Sequence, residues 1–189
     1  MGWVKLMLVC QRWRAIGLTT PALWRIIPIT ANTEALEYRL GQVEACPFDL
    51  IVHHTAAANS EAVPLLLPQI HRMRSISSGH DFRFDVLDSI RPILSAPMLP
   101  ALDRLDIVPT WSPSTPEYEV EVGLEDAIWS PLRHVRSFGI FLPCEAWFWQ
   151  NLCSLDLVVD FYIVIDDSRF AYDILGYLSW TKTLRKLRV

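Results

Sequence analysis

The stretch Leu102-Asp103-Arg104-Leu105-Asp106-Ile107 decides the fold, because its pattern of leucines and a terminal aliphatic residue recurs along the chain. Close copies occupy residues 152–157 and 184–189, and looser copies occupy residues 47–52, 73–76 and 132–135. The central aliphatic residues of the six copies follow one another at intervals of 20 to 32 residues. These centres are Leu50, Ile76, Leu105, Val135, Leu155 and Leu187. Regular recurrence of a short apolar core predicts a strand repeated in successive units.

The mean interval of about 27 residues lies within the ~20 to 29 residues of a leucine-rich repeat, in which each unit supplies a strand and a helix. The sequence therefore resembles an irregular leucine-rich-repeat array of about six units over residues 31–189, an α/β solenoid with a curved sheet. No Asn recurs at the standard position of the motif, so the array is expected to be irregular. A loop insertion is predicted near residues 109–120, because residues 109–118 contain three prolines and no periodicity.

Helices are predicted between the strands. Asn32 or Thr33 provides an N-cap for a helix whose apolar stripe is Leu36, Leu40 and Val43. Residues 86–94 and 174–178 predict two further helices, the first of them kinked or ended by a proline.

The first thirty residues have a different pattern. Leu6, Val9, Cys10 and Trp13 fall on one stripe of an amphipathic helix that is expected to end near Gly17. Thr20-Pro21 then predicts a second short helical turn through Leu23 and Trp24. Residue chemistry leaves two roles open for the tryptophans Trp13 and Trp24: core anchors of a small helical cap, or part of a binding surface.

The arrangement Val9-Cys10-Gln11-Arg12-Trp13, followed by Pro21-Ala22-Leu23-Trp24, resembles the second half of an F-box of the fungal F-box-like type. The resemblance covers about 20 residues and implies a helical module, residues 1–30, that binds the Skp-type adaptor of a cullin-RING ubiquitin ligase. The adaptor-binding residues that it implies are Val9, Cys10, Trp13, Pro21, Leu23 and Trp24. An F-box opens with a further helix that has no counterpart here, and no capping unit follows the last repeat. We therefore expect either an interior piece of a longer product or a degenerate copy.

Charge and composition exclude several classes of protein. The net charge is −4, with +4 in residues 1–30 and −8 in the remainder, which argues against nucleic-acid binding or an anionic membrane surface. Four cysteines without a paired motif are typical of a reducing compartment. The apolar run at residues 6–10 is too short for a signal peptide or a membrane span. The expected location is the cytoplasm or the nucleus.

Catalytic, cofactor and metal sites are not predicted. The chain contains no nucleophile elbow, phosphate-binding loop or zinc-protease motif. His53, His54, His71 and His80 lack the spacing of metal ligands. Asp160, Asp166 and Asp167, like the acidic residues of 117–126, are expected to be solvated turn or surface groups.

Polar residues alternate with the buried aliphatic residues of each predicted strand, so stacked repeats would place them together on one concave face. The partner-binding face predicted in this way consists of Arg104, Asp106, His134, Arg136, Asp156, Lys186 and Arg188, with Asp49, Ser75 and Ser154 on the same side. The aromatic run Trp147-Phe148-Trp149 favours core packing, with an exposed binding patch as the alternative.

These patterns together predict a non-enzymatic substrate-recognition subunit of a cullin-RING ligase, which binds an adaptor through residues 1–30 and a target protein through the repeats. The target protein is not identified by the sequence. The alternative is a stand-alone leucine-rich binding scaffold, or a truncated paralogue, without a ligase role. A small α/β enzyme is a third hypothesis, which the missing catalytic motifs disfavour.

Overall fold

The computed structural model describes residues 3–53, 61–78, 85–94, 96, 99–108, 132–138, 150–158, 176, 178–179 and 181–188. These residues form a mixed α/β structure with a seven-stranded parallel sheet. The strands are β1 (Ile26–Ile29), β2 (Phe48–Val52), β3 (Met73–Ser78), β4 (Arg104–Ile107), β5 (His134–Phe138), β6 (Ser154–Val158) and β7 (Lys186–Arg188). They lie in the sheet in the order in which they occur in the chain.

The helices include two that the sequence predicts. The α-helices are α1 (Gln11–Leu18), α2 (Thr33–Val43), α3 (Ala62–Leu66) and α4 (Asp85–Leu94), and 3-10 helices span Trp3–Leu8, Pro21–Trp24 and Leu67–Arg72. Helix α2 begins after Asn32, whose side chain accepts a hydrogen bond from the Ala35 amide at 2.8 Å, so the predicted cap is confirmed. Helix α4 confirms the prediction for residues 86–94, with Pro92 inside it. The predicted helix at 174–178 lies largely outside the described residues.

The six aliphatic centres lie on one row across the sheet. Leu50 pairs with Ile76, Ile76 with Leu105, and the row continues through Val135 and Leu155 to Leu187. The intervals between the centres differ because the connecting segments differ in length, while the register of the strands is maintained.

One side of the sheet forms the core. The row residues from Leu50 to Leu155 pack with helix residues such as Leu36 and Leu66 in a single buried cluster, whereas Leu187 on the edge strand is outside it. The described helices α2, α3 and α4 contribute Leu36, Leu66 and Ile90 to this cluster, on the side of the sheet that the row residues face. The opposite side is left without a covering layer in the described part of the chain.

Strand β1 lies within the first thirty residues and extends the row by one member, Ile27, which pairs with Leu50. Sequence analysis does not identify this strand, because Pro28 stands in its middle and proline argues against a central strand. Proline is tolerated here because β1 is at the edge of the sheet.

The predicted curvature is wrong, since the sheet is not curled. Curvature in a repeat array follows from a rotation between units, which needs a layer behind the sheet that is wider than the strand spacing. In the described chain, α2 and α4 have 11 and 10 residues, whereas α3 has 5 and continues as the 3-10 helix Leu67–Arg72. A 3-10 helix is narrower than an α-helix, so a layer built partly of it gives less reason for the strands to fan apart.

The predicted single helix at the N-terminus is also wrong. A 3-10 helix ends at Leu8, Cys10 is extended (φ −158°, ψ 167°), and α1 begins only at Gln11. Leu6 and Trp13 are therefore not on one helical stripe. The short turn predicted after Thr20 is confirmed as the 3-10 helix Pro21–Trp24.

Several predictions fall outside the described residues: the loop insertion, the acidic residues of 117–126, the aromatic run 147–149, His54, His80, Asp160, Asp166 and Asp167. Within the described ranges, none of the helices has both the length and the apolar composition that a bilayer span requires.

Candidate functional site

The side of the sheet opposite the core, which we call the open face, carries mostly polar and charged residues in the described strands, with Ile26, Pro28 and Ile51 as exceptions. None of its strand residues is fully buried in the part of the chain for which burial is described. Parallel sheets usually have both sides covered, so an accessible polar side is the feature of this fold that most needs a functional explanation. The strand positions on the open face for which burial is described are 26, 28, 49, 51, 75, 77, 104, 106, 134, 136, 154, 156, 186 and 188.

Asp49 is the best-connected residue of the open face. Its carboxylate accepts hydrogen bonds from Arg74 Nε at 2.9 Å and Arg74 Nη2 at 2.7 Å, and from Ser75 Oγ at 2.8 Å. Arg25 Nε approaches the same carboxylate at 3.5 Å. The hydrogen bond to Asp49 raises the pKa of Arg74, because it stabilises the charged guanidinium. This bidentate pair fixes the side chains that join β2 to β3.

Arg74 reaches Asp49 because the register of β2 and β3 shifts there. Phe48 pairs with Met73 but Asp49 pairs with Ser75, so Arg74 is an extra residue on β3. A bulge of this kind redirects a side chain that strict alternation would send to the other side. Sequence alternation therefore finds Asp49 and Ser75 but misses Arg74.

Opposite charges alternate across the second half of the open face. The register aligns Asp106, Arg136, Asp156 and Arg188 on β4 to β7. Arg136 lies 3.9 Å from Asp106 and 3.8 Å from Asp156, and Arg188 lies 3.9 Å from Asp156. These distances are long for ion pairs and the arginines are half exposed, so each pair contributes little stability and can exchange partners.

A second register row contains basic residues and no acidic ones on β4 to β7. Arg104 aligns with His134, Ser154 and Lys186 on the same four strands. Arg133 and Arg185 directly precede β5 and β7 and line the same depression as this row, which has a volume of about 760 Å³. A smaller depression of about 500 Å³, lined by Asp49 and Arg74 among others, adjoins it over β1 to β4.

The structure brings together all seven residues of the predicted partner-binding face, because strand register converts sequence alternation into two adjacent rows. Besides Arg74, sequence analysis misses four charged residues that flank the strands: Arg25, Asp103, Arg133 and Arg185. A basic or acidic residue immediately before a repeat core is the signal that could have identified them.

Metal ligands are not grouped on this surface. Among the described residues, no three side chains of His, Cys, Asp or Glu are close enough to hold a metal ion. The charged groups of this surface offer hydrogen bonds and salt bridges, a chemistry suited to recognition.

A second candidate surface lies in the N-terminal helical segment. Seven of the eleven exposed large apolar side chains among the described residues fall within residues 6–23. We call these the N-terminal apolar set: Leu6, Leu8, Val9, Trp13, Ile16, Leu18 and Leu23. Single exposed apolar residues are ordinary. Seven of them in one short segment make that segment a candidate for binding a partner.

Helix α1 contributes the exposed residues Trp13, Ile16 and Leu18 to this set. Of its eight residues only Gly17 is buried, and the Trp13 side chain is 49% exposed. The residue before the helix, Cys10, is exposed, and Val9 is 67% exposed. Helix α1 therefore lies on the surface without a described partner for most of its circumference.

Trp24 has the opposite environment. It is 4% exposed, it donates from Nε1 to the Gly17 carbonyl oxygen at 2.8 Å, and its ring meets that of Tyr38 edge to face at 5.5 Å. Of the two tryptophans, Trp24 is thus a core anchor and Trp13 is not. Trp24 holds the end of α1 against the first strand, and so supports the surface that Val9, Trp13 and Leu23 present.

Comparison with known proteins adds no identification. The chain matches no family model, no curated protein and no solved structure.

The two surfaces differ in the partners that they can accept. The N-terminal apolar set offers apolar surface, and burying this surface against a partner is favourable because it is removed from water. The open face offers separated charges on a rigid sheet, which select a partner by charge position. One chain therefore carries an apolar surface and a charged surface on different elements.

Proposed function

We propose that this chain is a substrate-recognition subunit of a cullin-RING (Skp/cullin/F-box) ubiquitin ligase, which binds a Skp-type adaptor through residues 1–30 and a target protein through the open face. In this proposal the chain has no catalytic role, and ubiquitin transfer belongs to its partners. The single observation that carries the proposal is the concentration of exposed apolar side chains in the segment that resembles an F-box.

The positions within that segment support the proposal. Val9, Cys10, Trp13 and Leu23 are implied as adaptor-binding residues by the resemblance, and all four are exposed. Exposed tryptophan is the residue type most enriched where binding energy is concentrated. Trp24 is buried, so its part is to hold the Pro21–Trp24 turn in place.

We further infer that the sheet is an irregular leucine-rich-repeat array. Three features support this inference: a sequential parallel order, one aliphatic row shared by all units, and a helix-bearing side opposite a free side. In such arrays the free side binds the partner, because its residues come from every unit and form one continuous surface.

One observation favours the alternative, a stand-alone binding scaffold without a ligase role. Met7 packs against the core cluster, and Trp24 belongs to it. The N-terminal segment therefore also covers the apolar end of the array beside β1, as a capping unit does. A cap alone, however, does not require the exposed side chains of Leu8, Val9 and Trp13.

Binding of the purified full chain to a purified Skp-type adaptor, measured by isothermal titration calorimetry, tests the proposal. We expect Trp13→Ala to weaken binding by about 2 kcal/mol, the usual loss at an interface anchor. We also expect Leu23→Ser to weaken it. Leu67→Ser is the matched control, because Leu67 also lies in a 3-10 helix and is exposed to nearly the same extent, 39% against 37% for Leu23.

Absence of adaptor binding by the wild-type chain contradicts the ligase proposal. Equal losses for Leu23→Ser and Leu67→Ser would mean that the N-terminal apolar set is not the docking surface. Retention of target binding without adaptor binding would favour the scaffold.

A further inference from the structure

The open face carries more positive than negative charge, although the chain as a whole has a net charge of −4. Among the described residues, eight basic side chains and four carboxylates lie on it or at its rim. The basic residues are Arg25, Arg74, Arg104, Arg133, Arg136, Arg185, Lys186 and Arg188, and the acidic residues are Asp49, Asp103, Asp106 and Asp156.

The carboxylates are already engaged by part of this positive charge. Asp49 binds Arg25 and Arg74, and Asp103 lies 3.9 Å from Arg133. Asp106 and Asp156 share Arg136, and Asp156 also faces Arg188.

The excess positive charge is concentrated on β4 to β7. Among the described residues, Arg104, Arg185 and Lys186 have no acidic partner, and all three are exposed. Arg133 has only the long, exposed pair with Asp103. We define the basic strip as Arg104, Arg133, His134, Arg185 and Lys186, which line the depression of about 760 Å³.

The geometry of the basic strip limits the shape of its ligand. Arg104, His134 and Lys186 lie on one register row that crosses the strands. Three strand spacings of about 4.8 Å separate β4 from β7, so the row is about 14 Å long, which an extended peptide covers with about five residues. Side chains of an extended peptide alternate in direction, so acidic residues at every second position would all face the strip.

The chemistry of the depression favours a peptide over a nucleic acid. No Phe, Tyr or Trp lines it among the described residues, so stacking platforms for bases are missing. Asp106 and Asp156 stand in the neighbouring row and would repel a continuous phosphate backbone, whereas a peptide can place a neutral or basic side chain beside them.

We propose that the basic strip binds an extended acidic segment of a protein, with carboxylate side chains at alternating positions. This inference rests on the proposed function, because the acidic segment would be the feature by which the target protein is recognised.

Fluorescence anisotropy of the full chain with a labelled peptide of alternating glutamate and serine tests the proposal. We expect binding that weakens as salt is added, and none with a peptide of alternating glutamine and serine, because the attraction is between charges. Arg104→Glu with Lys186→Glu should weaken binding by about tenfold or more, since two attractive charges become repulsive. Arg12→Glu with Arg14→Glu is the matched control, with the same charge change on exposed residues of α1.

Circular dichroism of each variant shows whether it folds. If the variant with both charges reversed does not fold, Lys186→Gln is a milder replacement that still removes a positive charge. Equal binding of the two peptides, or equal losses for the two double variants, would overturn the proposal. Displacement of the peptide by a single-stranded oligonucleotide at a lower concentration than by unlabelled acidic peptide would assign the strip to nucleic acid instead.

Adaptor binding, measured on the same proteins, separates this inference from the proposed function. If Arg104→Glu with Lys186→Glu loses the peptide but keeps the adaptor, both proposals are supported. If the wild-type chain binds the adaptor but not the peptide, only the proposal for the basic strip is contradicted. If it binds the peptide but not the adaptor, the ligase role is contradicted, and the basic strip remains the binding site of a stand-alone scaffold.

Discussion

At the scale of single residues, Asp49 joins three neighbouring strands. It lies on β2, its side chain is 15% exposed, and it accepts hydrogen bonds from Arg74 and Ser75 on β3 while facing Arg25, which directly precedes β1. A carboxylate with this many donors in a half-buried position is stabilised more than a typical surface charge.

Replacement of Asp49 should therefore destabilise the fold. We expect Asp49→Asn to lower the free energy of unfolding by about 1 to 2 kcal/mol, a value reduced by the solvent exposure of both arginines. The loss should shrink as salt is added, because the interaction is partly between charges. Urea unfolding measures both effects.

Asp106→Asn is the control for this prediction. Its closest charged neighbour, Arg136, is 3.9 Å away and half exposed. We expect a change below about 0.5 kcal/mol, as for most exposed ion pairs. Similar losses at Asp49 and Asp106 would show that the short hydrogen bonds of Asp49 do not determine its contribution to the free energy of unfolding.

Residue-level prediction from the sequence works where strand alternation is regular. Arg104, Asp106, His134 and Arg136 are placed on the open face by alternation alone, and the register confirms their alignment. Arg74 is not found, because an extra residue in β3 interrupts the alternation. Nothing local in the sequence marks that bulge.

At the scale of elements, α2 is held at both ends. Asn32 caps its first turn. At the other end the Arg72 guanidinium donates to the Cys46 carbonyl oxygen at 2.8 Å and to that of Val43 at 3.4 Å, while lying over the Phe48 ring. The helix is thus tied to the strand that follows it and to the next unit of the sheet.

The N-terminal cap of α2 can be tested by substitution. We expect Asn32→Ala to lower the free energy of unfolding by about 1 kcal/mol, because the Ala35 amide loses its acceptor. Thr20→Ala is the control: Thr20 occupies the N-cap position of the 3-10 helix Pro21–Trp24 but makes no side-chain capping hydrogen bond. Thermal unfolding of both variants measures the difference, and a larger loss for Thr20→Ala would contradict the assignment of the cap.

Elements were predictable to the extent that their signals are local. A capping residue and a periodic apolar stripe are sufficient to locate α2. The N-terminal helix was placed wrongly because periodicity alone does not show that Cys10 is extended and divides it. Strand β1 was missed because the cost of Pro28 depends on its being at a sheet edge, which is known only from the pairing.

At the scale of the whole molecule, one aliphatic row holds the sheet together, and its members differ in burial. Ile76 is fully buried, whereas Leu187 on the edge strand β7 is 45% exposed. Because each strand contacts only its neighbours in the order, stability is expected to decrease from the centre of the row to this edge.

Truncation at the two positions should show this gradient. We expect Ile76→Ala to cost about 2 to 5 kcal/mol, since a buried cavity forms between β2 and β4. Leu187→Ala should cost about 1 kcal/mol or less, because the side chain is half in water already. Urea unfolding gives both values, and amide hydrogen exchange should be slower in β3 than in β7.

A comparable loss at Leu187 and Ile76 would contradict this gradient, since it would mean that the edge side chain contributes as much to stability as the fully buried one. The row itself was predictable, because six copies of one pattern recur in the sequence. The curvature of the sheet was not predictable, because it depends on the size of the helix layer behind every strand.

The sequential order of the strands also determines how the molecule responds to mechanical load. The described chain enters the sheet at β1, one edge, and its last strand is β7, the opposite edge, about 29 Å away at about 4.8 Å for each strand pair. A pulling force between these ends acts along the hydrogen bonds and passes through each pair in turn. The bonds are therefore loaded in series, so the weakest pair yields first and strands detach one after another at low force.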